Sequence, residues 1–195
     1  MAMIAIEAPE NVSSIIKDIE LPGKCLRKEL HHHITLFYFP DDLEMDKILE
    51  IIPVVYDVVS NVKPFIISAS KYNSFPKGKH GYPIVAEIKS KELVKLRKDI
   101  KNSFDENDIE FDQKFPNFIA HLTLEYNKEQ CDGKFNEVCW PVNNIKLFAG
   151  DKNKEQMLIE FPFGDTIKNS SLFIDEFAGH FEKLANGTKI TQNKR

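Results

Sequence analysis

The stretch that decides the reading is ELHHHITLFYF, residues 29–39. Its second half is rich in β-branched and aromatic residues, which favour a pleated, half-buried strand. Alternate side chains of a strand share a face. His33 and Thr35 therefore share one face, while Ile34 and Leu36 point into a core. The pattern returns in FIAHLTLEY, residues 118–126, where His121 and Thr123 share a face in the same way. A single His-x-Thr on a strand is ordinarily a half-buried structural pair. Two matched copies supply two imidazoles and two hydroxyls, the groups that a phosphate site with an acid and a base requires.

Outward from these two strands, Met3 to Ala8 alternates and reads as a first strand closed by Pro9. Asn11 is placed to cap a helix reaching Ile19. LPGK (21–24) is a turn, and Pro40-Asp41-Asp42 stops the first His strand. Asp42 can cap a helix with Leu43, Ile48, Leu49 and Ile52 apolar, which Pro53 either kinks or divides. KPFIISASK (63–71) alternates Phe65, Ile67 and Ala69 and predicts a strand. SFPKGKHGYP (74–83) is a Gly/Pro loop leading to a partner strand over 84–88. Residues 90–104 are helical in period, with Leu93, Leu96, Ile100 and Phe104 on one face. Residues 143–148 and 157–161 read as a hairpin around GDKNKE (150–155). Residues 170–186 read as a further amphipathic helix, with Phe173, Phe177, Phe181 and Leu184 on one side and Gly187 ending it. The last eight residues, TKITQNKR, read as a loose tail. The strands fall into two groups, each with one His motif and one long helix. That order predicts an α+β fold of two pseudo-symmetric lobes of antiparallel sheet, with outer helices, around a central cleft. We divide it as a domain over residues 1–164 and a C-terminal helical extension with its tail over 165–195.

An apolar share of 42% supports a real core. The net charge of −4 argues against a protein that coats long nucleic acid, and leaves room for a small phosphorylated ligand gripped locally. Arg27, Arg97 and Arg195 are the only arginines, so a bidentate clamp on phosphate would fall to Arg27 or Arg97. Cys25, Cys131 and Cys139 lack metal spacing and read as reduced thiols of a cytoplasmic protein. MAMIAIEAPE lacks the basic start of a signal peptide, and no apolar stretch reaches membrane-spanning length.

The chain resembles the two-histidine phosphoesterase superfamily. That group includes bacterial 2′-5′ RNA ligase-like proteins, cyclic phosphodiesterases and phage enzymes that cut immune cyclic nucleotides. The resemblance rests on HITL at 33–36 and HLTL at 121–124. It is supported by the opening strand ending at Pro9, FP at 75–76, LRKDIKNSF at 96–104 and FPF at 161–163, and it covers roughly residues 1–164. The family fold it implies is a pseudo-twofold pair of lobes with one motif strand in each. The chain departs from the pattern in the loop before residues 84–88, where Lys79 and His80 stand in place of arginine. The helix beyond residue 164 is also outside the common core.

The chemistry follows from the residues. His33 and His121 supply one base and one acid, and Thr35 and Thr123 donate hydroxyl hydrogen bonds to non-bridging phosphate oxygens. The scheme needs no metal and no cofactor. A His31/His33/His121 metal site is the competing arrangement, and it lacks a carboxylate partner. Phe75, Tyr82 and Phe148 either stack a base beside the cleft or pack within the fold, and Lys79 is a candidate phosphate contact. The expected partner is a nucleotide, a cyclic oligonucleotide or an RNA end, bound by a monomer in the cytoplasm, which is the host cytoplasm if the chain is phage-encoded. The alternative from another class is a module that holds a nucleotide or RNA end without turnover.

Overall fold

Alternation and turn chemistry build nine strands and three helices among the described residues, which are 2–40, 43–113, 117–151 and 154–164 of a computed structural model. In chain order they are β1 (Ala2–Glu7), α1 (Glu10–Lys17), β2 (Cys25–Lys28), β3 (His33–Phe39), α2 (Met45–Val59), β4 (Phe65–Ser74), β5 (Tyr82–Glu87), α3 (Lys91–Glu106), β6 (His121–Asn127), β7 (Gly133–Val142), β8 (Asn144–Asp151) and β9 (Lys154–Pro162). One sheet has the order β3-β1-β8-β9 and the other β2-β6-β5-β4-β7. All the pairings are antiparallel. The fold is α+β.

The duplication in the sequence is a duplication in topology. In each sheet the His strand (β3 or β6) pairs with the strand one helix earlier (β1 or β5). That strand pairs in turn with β8 or β4, and these with β9 or β7. α1 connects β1 towards β3 as α3 connects β5 to β6. The second sheet carries β2 as an extra edge.

The third helix shows how local chemistry positions a motif strand. Ser90 accepts a hydrogen bond from the Leu93 backbone N–H at 3.1 Å, which satisfies a donor the first turn leaves free. Leu93, Leu96, Ile100 and Phe104 then repeat on one buried stripe. Phe104 lies edge-to-face with Phe37 of β3 at 5.0 Å and beside Phe39 at 5.9 Å. The helix thus packs on the core face of the first His strand.

Several expectations need correction. α1 begins at Glu10 with Pro9 at the N-cap, and no side chain caps it, so Asn11 sits inside the helix. α2 runs from Met45 through Pro53 to Val59 as one helix, so Pro53 does not divide it. Proline lacks the N–H that would bond the carbonyl of Leu49, whose side chain is on the exposed side of the helix, where water can serve the carbonyl instead. β2 and β7 were not foreseen. The cap at Asp42 and the helix over residues 170–186 lie outside the described residues.

Candidate active site: a doubled histidine strand with a shared bulge

Both motif strands carry a β-bulge at the same place. Ala5 faces Thr35 and Ile4 faces Phe37, so Leu36 is the extra residue in β3. Val85 faces Thr123 and Ile84 faces Glu125, so Leu124 is the extra residue in β6. A bulge sets two residues of one strand against one of its partner and reverses the alternation beyond it. Leu36 and Phe37 are accordingly both buried, as are Leu124 and Glu125. The residue after each pair, Tyr38 or Tyr126, returns to the histidine face. Each motif is therefore His-x-Thr-Leu-x-Tyr, as HITLFY (33–38) and HLTLEY (121–126). The tyrosines were legible in the sequence as the continuation of the repeat. Strict alternation would have sent them to the core.

The bulge in β3 has its own support. The Nε–H of Arg97 donates to the Leu36 carbonyl at 3.1 Å, and its guanidinium lies between Phe37 (5.0 Å) and Phe118 (4.5 Å). Burial lowers the affinity of Arg97 for its proton. This arginine is committed to the fold.

The two imidazoles are pinned alike. His33 Nδ1 lies 2.9 Å from the carbonyl of His31, and His121 Nδ1 lies 2.7 Å from that of Ile119. A carbonyl oxygen only accepts, so each Nδ1 carries a hydrogen. The neutral ring then has its lone pair on Nε2, the atom left for chemistry. Burial pushes the His121 imidazole below its ordinary value, the Ile119 carbonyl opposes this, and the charge of nearby His33 adds to the lowering. β3 and β6 pack against each other, which brings the two rings into electrostatic range.

Around them, the Thr35 hydroxyl donates to the Tyr38 hydroxyl at 3.3 Å. Phe75 sets its ring 4.7 Å from that of His121. Register places Met3 opposite Phe148 and Ala5 opposite Lys146, so Phe148 and Lys146 share the face of Thr35 and Tyr38. Lys146 is tied to Glu7, the cross-strand neighbour of His33, at 2.6 Å. Asn73 lies across from Val85 and so shares the face of Thr123, and its buried Oδ1 has no protein partner. Nothing in the sequence had drawn attention to Asn73. Lys79 is exposed in the turn closed by Gly78 and Gly81. Tyr82 pairs with Asn127 on the opposite face from Pro83 and Tyr126, with the Lys77 ammonium 5.7 Å from its ring. The structure thus gathers His33, Thr35, His121, Thr123, Phe75 and Phe148, and leaves Tyr82 and Lys79 outside that group. Among the described residues no three His, Cys, Asp or Glu side chains are grouped to hold a metal ion, and His31, His33 and His121 form no such set.

A cavity of about 490 Å³ opens at the end of β1 and α1, and its walls include His31 and His32 but neither His33 nor His121. His32 is 2% exposed, and its Nδ1 has no partner. Burial and then the Lys17 charge hold His32 below its ordinary value. His32 and His121 therefore both bind protons more weakly folded than unfolded, where histidine titrates near 6.5. Below about pH 6.5 the unfolded chain takes up more protons, so stability falls as pH falls towards the folded values. Thermal melts are expected to show this decline, and His32→Leu to lessen it. An unchanged slope in that variant would show that His32 contributes nothing.

The sequence matches the family described as the 2′-5′ RNA ligase superfamily over residues 8–148. Among solved structures, TT0787 of Thermus thermophilus superposes with a TM-score of 0.69 at 16% identity, covering 85% of this chain and 99% of that one. LigT of E. coli, in a crystal structure with 3′-AMP, superposes with a TM-score of 0.66 at 12% identity, covering 83% and 97%. A phosphoesterase superposes with a TM-score of 0.65 at 13% identity, covering 84% and 98%. At these identities the likeness is one of fold. No curated protein matches. The family match takes in both motif strands and the helices between them, and on it the chain belongs to the 2′-5′ RNA ligase superfamily, the two-histidine phosphoesterases.

Proposed function

We propose that this protein is a metal-independent phosphodiesterase acting on nucleotide or RNA phosphodiesters, with the activity carried by residues 1–164. The observation that carries the reading is the doubled, identically pinned imidazole, with a threonine two residues on in each strand. His121, held towards its neutral form by burial, serves as the base: its Nε2 takes a proton from water or from a ribose hydroxyl. The oxygen so activated attacks phosphorus. His33 protonates the leaving oxygen, and Thr35 and Thr123 hold the non-bridging oxygens as charge builds on them. The substrates in view are 2′,3′-cyclic phosphates, 2′-5′ linkages and the linkages of cyclic oligonucleotides, the last being the reaction of a phage enzyme that removes immune signals. E. coli LigT has been crystallised with 3′-AMP, with ATP and with NADP+, which supports a nucleotide as ligand.

The deciding experiment is incubation with a panel of cyclic nucleotides, 2′-5′ oligomers and cyclic oligonucleotides, followed by chromatography. Turnover is expected to persist in EDTA, and loss restored by a divalent ion would overturn the metal-free mechanism. A panel bound but left uncleaved would favour the binding module. Thr35→Val and Thr123→Val are expected to slow the reaction by roughly 1–3 kcal/mol each, since each leaves a phosphate oxygen short of a donor. Rates equal to wild type would remove the threonines from the mechanism.

A further inference from the structure

Beyond Thr123, β6 ends in a cluster that the two-histidine chemistry does not use. Arg27 of β2 is the register partner of Tyr126, and its guanidinium carbon lies 5.5 Å from the Tyr126 ring centroid. The Arg27 side chain is 54% exposed. Its acidic neighbour Glu29 stands at 4.0 Å and spends Oε1 on the backbone N–H groups of Leu30 and His31. At 4.0 Å the Glu29 Oε2 is beyond hydrogen-bond reach of the Arg27 guanidinium. The His80 ring meets Tyr126 edge-on at 5.9 Å.

That approach of the loop is built in. Gly81 has φ +112° and is buried, and a Cβ there would come within 2.5 Å of the Asn127 carbonyl oxygen. Only glycine lets the loop lie this close to the end of β6. Tyr38, from the other motif, shares the histidine face and takes the Thr35 hydroxyl, so polar groups lead from the histidines towards this cluster. Arg97 spends its Nε–H on Leu36 and lies between Phe37 and Phe118, whereas the Arg27 side chain stands open to solvent.

We propose that Arg27, Tyr126 and His80 form a subsite for a second phosphate, adjoining the one between the histidines, so that the substrate is a nucleotide with linked phosphates rather than a mononucleotide. A guanidinium laid on an aromatic ring is held in place without losing its in-plane N–H donors, which match two phosphate oxygens. The ring is covered by Arg27 on a face and meets His80 in a T-shaped contact, which suits an anion better than a stacked base. From Thr123 to Tyr126 the strand advances at most roughly 10 Å, at about 3.3 Å per residue. One further nucleotide unit crosses that span. The proposal rests on the phosphodiesterase reading for the first phosphate and names the substrate class.

The test is binding to a His121→Ala protein, which needs no turnover. Two probes are compared by calorimetry: a 2′,3′-cyclic mononucleotide, and a dinucleotide with the same cyclic end and one more phosphodiester. Adding Arg27→Ala is expected to weaken the dinucleotide about tenfold, at least threefold more than the mononucleotide. The salt dependence of dinucleotide binding is expected to become shallower by about one charge. Arg27→Lys, which keeps the charge and loses the fork, is expected to fall between. Equal losses for both probes, or none for the dinucleotide, would overturn the subsite. Wild-type protein that binds the dinucleotide through Arg27 but never cleaves it would keep the subsite and sink the reaction. Arg27 is exposed on an edge strand, so the variants are expected to melt like the parent, and melting curves check this.

Discussion

Replacing either His33 or His121 with alanine is expected to cut turnover by about 10²–10⁴-fold, because each change removes one proton-transfer partner. The double variant is expected to be little worse than the poorer single one, since an acid without its base gains little. Folding is expected to survive. Both rings are half-buried on the open face of their strands, and each holds only a single backbone carbonyl two residues upstream. The wild-type rate against pH is expected to be bell-shaped, with one imidazole neutral and one charged. Its acidic limb should lie below the ordinary histidine value, because burial keeps His121 neutral further into acid. Steady-state kinetics over pH 5–9 on a cleaved substrate reads all of this. A folded double variant that turns over at the wild-type rate would refute the mechanism.

What the sequence made legible was whatever has one wet face and one dry one. β3 and β6 alternate cleanly up to Thr35 and Thr123, and α3 repeats four apolar residues behind a serine cap, so all three could be read directly. β2 and β7 could not. They are the two edges of the five-stranded sheet, and an edge strand has less to bury. All four residues of β2 are exposed. β7 contains Pro141, which argues against a central strand but is tolerated at an edge, where one side of the backbone has no partner.

The bulges explain the other gap. Sequence periodicity assumes an unbroken ladder, so it assigned His33, Thr35, His121 and Thr123 to their faces and would have misplaced Tyr38 and Tyr126. Asn73 reaches the same surface through a neighbouring strand, as do Phe148 and Arg27, which the sequence offered as candidates without showing their faces. Their positions depend on register across the sheet, which one sequence does not display. Tyr82 shows the converse. It sits in a loop rich in candidates, yet its place in β5 turns it to the other face.

Phe104→Ala is expected to have the largest effect on stability, about 3–5 kcal/mol. The ring has no exposed surface. It touches Phe37 and Phe39 of β3 and lies 6.0 Å from Phe111. Removing it deletes the largest side chain of the α3 stripe and leaves a cavity that three neighbouring rings cannot readily fill. Phe37 is itself held by the Arg97 guanidinium at 5.0 Å and by Phe111 at 5.2 Å. For a domain of this size the melting temperature is expected to drop by roughly 6–20 °C, at about 2–4 °C per kcal/mol. The denaturant midpoint should move while the slope stays, since the surface exposed on unfolding is nearly the same. The cavity opens on the core face of β3, whereas His33 and Thr35 lie on the opposite face. At a temperature where the variant is fully folded, its kcat should therefore stay within a few-fold of wild type. A variant that melts like wild type would mean that α3 is not the packing support of the first His strand. One that is folded yet lacks turnover would mean that the core behind β3 sets the geometry of His33 directly.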